Sequence, residues 1–151
     1  MNSILYRLND PDSTKKYLFW YWIISPLCYF LYTFLLSSQT QLPLEEVLNA
    51  PLIALTFLIA CMTILLAGLL NLIKDEGDYV ERNFGIFAMV QQLLVGNLLG
   101  VLLAFFFTRS RWGVPSAACS TPQRWILWGG MALISVLTVL VMISYWNLSM
   151  A

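Results

Sequence analysis

Every charged residue of this chain lies outside four uncharged, largely apolar segments, at about residues 17–37, 47–73, 83–108 and 125–147. A helix rises about 1.5 Å per residue and a bilayer's hydrocarbon core is about 30 Å thick, so about 20 apolar residues suffice to cross it. Within lipid the backbone must satisfy its own hydrogen bonds, which a helix does without a neighbour. The pattern predicts an all-α protein, an integral membrane bundle of four transmembrane helices with short loops, forming one domain over residues 1–151.

The 60% hydrophobic content exceeds the roughly 45–50% of soluble domains. The gaps between segments are too short to bury cores of their own, so any chemistry belongs to the bundle or its edges. Eight basic and eight acidic residues cancel and form no Lys/Arg run, which leaves no electrostatic footprint for nucleic acid. Histidine is absent, removing the commonest metal ligand and the side chain that titrates nearest neutrality. No metal or other cofactor is expected. Cys28 and Cys61 lie within apolar segments and Cys119 in the third loop, a spacing unsuited to a disulfide framework or an exchange centre. The first segment is too long and too aromatic for a cleaved signal peptide and reads as an uncleaved anchor.

Asp12, Ser13 or Thr14 is placed to cap the first helix. Its aromatic residues beside Lys15 and Lys16 read as an interfacial anchor, and Pro26 predicts a kink. Pro51 suits the first turn of the second helix, where a missing donor costs little. Thr56, Ala60, Thr63 and Ala67 then form a stripe of small residues suited to close helix contact. In the second loop, Asp75, Glu76 and Asp78 lack the regular ligand series of a calcium loop and read as a solvated turn.

The third segment carries the most pattern. Ala88, Gln92, Gly96, Gly100 and Ala104 recur at intervals of four along the third helix, with Gly96 and Gly100 as a GxxxG pair, and form a face that another backbone can approach closely. This face is the candidate packing or partner interface. Gln91, Gln92 and Asn97 are the candidate polar path, because an amide in hydrocarbon must find partners.

Four crossings place the N-terminal segment and second loop on one side, with Arg7, Lys15, Lys16, Lys74 and Arg82. Arg109, Arg111 and Arg124 fall on the other. The positive-inside rule then puts both termini in the cytoplasm of a protein of the plasma (inner) membrane.

No catalytic triad, HExxH motif, phosphate-binding glycine loop or intramembrane carboxylate pair is present, and no enzyme is expected. The Gly96-Asn97-Leu98-Leu99-Gly100 run resembles a segment of small four-helix fluoride channels, but that family's glycine-rich, arginine-bearing first helix is missing. Length and helix number resemble the MAPEG membrane glutathione enzymes without a shared motif, and neither family's properties are carried over. The expected role is a non-catalytic accessory or interaction subunit of a membrane complex. Its partners would be the lipid bilayer and either another membrane protein or a second copy of itself. The alternatives are a small oligomeric channel or transporter using the amides of the third segment, and an immunity-type protein against a pore-forming toxin.

Overall fold

A computed structural model describes residues 10–73, 79–112 and 121–150, and among these every regular element is a helix. They are α1 (Pro11–Thr40), the short α2 (Leu44–Leu48), α3 (Pro51–Leu72), α4 (Tyr79–Leu94), α5 (Leu98–Ser110) and α6 (Thr121–Met150). Three are long and apolar enough to cross a membrane, over Asp12–Thr40, Pro51–Leu72 and Pro122–Met150. Asp75, Glu76, Asp78 and Cys119 lie outside the described residues.

Local chemistry sets the helix ends. Asp10, rather than the three residues expected, caps α1: its Oδ2 accepts from the Ser13 backbone N–H at 3.2 Å and from the Ser13 hydroxyl at 2.6 Å. The reason is Pro11, whose fixed φ and missing N–H suit the first helical position and leave the residue before it as the cap. Pro51 opens α3 in the same way. α1 continues through Pro26, whose ring is buried.

The aromatic cluster of α1 divides by face. Trp20 is exposed, while Trp22 is fully buried and meets Phe84 edge to face, with ring centroids 6.2 Å apart. Only part of the cluster is therefore free to anchor at an interface.

α1 and α3 are antiparallel: Lys15 reaches the Ile73 carbonyl at one end, and the Tyr29 hydroxyl donates to the Ile53 carbonyl at 2.6 Å toward the other. α3 and α6 are antiparallel too, since Gly130 abuts Leu69 while Leu55 and Tyr145 share a groove at the opposite end. The helices close a ring in the order α1, α3, α6, α4, α5 and back to α1. Leu18, Trp22, Met62, Leu66, Phe84, Phe107 and Ile134 fill it. Ala60, Thr63 and Ala67 are buried on α3, between α1 and α6, so most of that small-residue stripe packs inside the ring. Lipid tails are as apolar as leucine, so close van der Waals fit holds such contacts together.

The expected third span, 83–108, is not one helix. It breaks at residues 95–97 and folds back, so that α4 and α5 form an antiparallel hairpin. A Cβ on Gly85 would collide with the Thr108 hydroxyl, and Arg111 meets Glu81; one continuous helix would hold these pairs far apart. With 16 and 13 residues, the arms rise about 24 and about 20 Å, short of a core of about 30 Å. The expectation of termini on one side rested on this segment crossing as one helix. α1 and α6 run parallel, and Pro11 and Met150 lie at opposite ends of the bundle.

Candidate functional site

The hairpin turn is built from two adjacent residues with opposite tasks. Gly96 takes a left-handed φ of 77°, the conformation that ends a helix and that glycine adopts without a Cβ penalty. The Gly96 N–H donates to the Leu93 carbonyl at 3.1 Å and the Asn97 N–H to the Gln92 carbonyl at 2.9 Å. This bond pair is the Schellman closure of a helix C-terminus. Asn97 then starts α5 at once, its Oδ1 accepting from the Gly100 N–H at 3.1 Å.

That cap orients the surrounding amides. A backbone N–H must donate, so the Asn97 atom facing Gly100 is oxygen, and Nδ2 is left to donate to Gln92 Oε1 at 2.5 Å. Gln92 Nε2 therefore donates onward to Gln91 Oε1 at 2.7 Å. From α1 the Tyr21 hydroxyl donates to Asn97 Oδ1 at 2.5 Å. The chain of donors ends at Gln91 Nε2, which is buried without a hydrogen-bond partner, as is the indole N–H of Trp22. Gln92 is fully buried and Gln91 is 3% exposed.

The five residues of the small-residue pattern take two kinds of place. Gly96 is exposed at the turn, and a Cβ there would meet nothing within 4 Å. Ala88, Gln92, Gly100 and Ala104 are buried, two on each arm and equally far in sequence from Gly96. Gly100 lies directly against the Gln92 amide, with no room for a Cβ. The interval of four thus sets Gly100 against Gln92 across a hairpin, with Ala88 and Ala104 buried on the two arms. Gln91, Gln92 and Asn97 do come together, joined by Tyr21.

At the open end of the hairpin lies a charged cluster that the sequence reading did not single out. The Glu81 side chain, 1% exposed, lies 3.1 Å from Arg111 Nε and 3.8 Å from Lys15 Nζ. Arg111 Nη2 also lies 4.0 Å from Asp12, and its guanidinium sits 5.8 Å from the Phe107 ring centre. Lys15 donates to the Ile73 carbonyl at the C-terminus of α3, where a helix dipole favours a cation. The Thr14 and Ser110 hydroxyls are 3.0 Å apart. Together these contacts fasten both ends of the hairpin to α1. Nearby, hydrogen bonds from Ser13 hold the Asp10 carboxyl below its usual range. No spacing rule links these residues, which come from separate segments.

The two clusters differ in chemistry. At the turn, neutral amides and a phenol are spent mainly on one another; at the base, opposite charges are buried together. Among the described residues no group of three or more His, Cys, Asp or Glu is placed to hold a metal ion. No protein-family model, curated protein or solved structure matches this chain.

Proposed function

We propose that this chain is a non-catalytic accessory or interaction subunit of a membrane complex, crossing the bilayer with α1, α3 and α6 and inserting the α4–α5 hairpin partway. The observation that carries this reading is the amide network at the turn, in which Asn97, Gln92 and Gln91 bond mainly to one another. Polar groups that would line a solute path are instead bonded to one another and to Tyr21, which suits a rigid packing element. The apolar outer face left to this compact bundle, including Leu98, Leu99 and Leu102 on the hairpin, is available to lipid and to a membrane partner.

The hairpin also bears on orientation. Lys15, Lys16, Arg82, Arg109, Arg111 and Arg124 all belong to one end of the bundle, while the other end carries Glu45 and Glu46 and no described base. The positive-inside rule favours a cytoplasmic basic end. We place the chain in a plasma (inner) membrane, with the start of α1 on the cytoplasmic side and the end of α6 on the far side.

A small oligomeric channel or transporter is the second reading. Its support is the broken helix, which sets the N-terminus of α5 and the unpartnered Gln91 donor within the bundle, an arrangement that solute sites in membranes also use. One comparison separates the two. Stoichiometric co-purification with another membrane protein in mild detergent, together with no ion or solute flux from liposomes of the pure protein, supports the accessory reading. Flux abolished by Gln92→Leu or Asn97→Leu would replace it with the channel.

A further inference from the structure

We infer that the groove beyond the hairpin turn holds a single phospholipid acyl chain, entering from the leaflet opposite the basic end. α4 and α5 stop short, while α3 and α6 continue past the turn toward that leaflet. Between them lies a groove of about 420 Å³, closed at its inner end by Val95 and Gly96 and walled by Leu55, Ile59, Val141 and Met142. Tyr145 and Trp146 stand at its outer end, where aromatic rings settle at headgroup level.

The choice of occupant follows from chemistry and length. No charged residue lines the groove, and the Thr56 hydroxyl is already given to the Leu52 carbonyl at 2.8 Å. Water needs two to four polar partners to stay in a cavity, and apart from Tyr145 and Trp146 at the outer end the side chains of these walls offer none. Among the described residues the groove is lined by α3, the end of α4, the hairpin turn and α6 alone. A spanning helix from a partner would need an open track through the whole core of about 30 Å, and the hairpin turn blocks that track partway. An acyl chain belongs to one leaflet and reaches only about half that depth.

The test is native mass spectrometry of the delipidated full-length protein in mild detergent, titrated with palmitoyl-oleoyl phosphatidylethanolamine and, separately, with the matching phosphatidylglycerol. The site should take one equivalent of either lipid, since the acyl chain rather than the headgroup is held, and single-chain lysolipid should compete. Met142→Trp fills the groove and should weaken retention about tenfold or more, while Leu102→Trp on the exposed outer face of α5 should leave it unchanged. Ile59→Phe gives a second, smaller filling if Met142→Trp lowers the melting temperature. Equal retention by wild type and by folded groove-filled variants would overturn the assignment. So would loss of a co-purifying membrane protein from those variants with lipid retention intact.

Discussion

Arg111 Nε lies 3.1 Å from Glu81 Oε2, with both side chains buried, at the point where the hairpin leaves the bundle. Removing one member of a buried pair leaves the other charge uncompensated, which costs about 3–5 kcal/mol. Arg111→Met should therefore lower the melting temperature in detergent sharply. Glu81→Gln should do less, because an amide retains hydrogen-bonding capacity. The double variant should recover part of the loss of Arg111→Met, and a strictly additive double-mutant cycle would show that the pair is not coupled.

Gly96 and Gly100 should fail for different reasons. At Gly96 there is room for a side chain but φ is 77°, so Gly96→Ala should cost about 1–2 kcal/mol of backbone strain. Gly96→Asn should cost less, since asparagine tolerates that region. At Gly100 the backbone is helical and the space is absent, so Gly100→Ala must displace the Gln92 amide. The two glycines are separated by thermal unfolding of Gly96→Asn and Gly100→Asn, of which only the first should stay near wild type.

The direction of the amide chain ranks its members. Gln92→Leu leaves Asn97 Nδ2 and Gln91 Oε1 without their partners, each buried loss costing about 1–3 kcal/mol. Gln91→Leu deprives only Gln92 Nε2 and also removes a donor that already lacks a partner. Chemical denaturation should therefore find Gln91→Leu the milder change, and the reverse order would contradict the assigned amide orientations.

Single cysteines replacing Arg82, Arg109 and Leu148, in a background lacking the native cysteines, test the path of the chain. A membrane-impermeant maleimide should label positions 82 and 109 from the same side and position 148 from the other. Labelling of 82 and 109 from opposite sides would restore a crossing at 83–108 and a total of four.

Asp10 makes the cap of α1 pH-dependent. Its carboxyl is held below the usual range by the Ser13 hydrogen bonds, so the folded state binds fewer protons than the unfolded state and stability rises with pH. The contribution is complete above the ordinary aspartate value of about 3.9 and disappears as pH falls through the lowered native value. Hydrogen-exchange protection of the Ser13 and Thr14 amides should fall over that acid range in the wild type. In Asp10→Asn it should stay level.

Much of the hairpin was legible in the third segment. Gly96 followed by Asn97 is a helix stop beside a helix start, and the pair forms the turn. Read as a glycine pair four residues apart, the same letters suggested one continuous surface. Both readings demand small residues at intervals of four, and local propensity does not choose between a straight helix and a folded one. Glu81, Arg111 and Lys15 gave no comparable signal, because their significance depends on which segment ends meet.

Charge placement and apolar length, local properties of the chain, determined that this protein is helical and that Asp12–Thr40, Pro51–Leu72 and Pro122–Met150 are long and apolar enough to cross a membrane. Tertiary structure decided what the third apolar segment, residues 83–108, does. An amide within an apolar bundle must find a partner, and Gln92 finds one in Asn97 only because the chain doubles back at Gly96. That single reversal buries Glu81 against Arg111 and sets the two termini at opposite ends of the bundle.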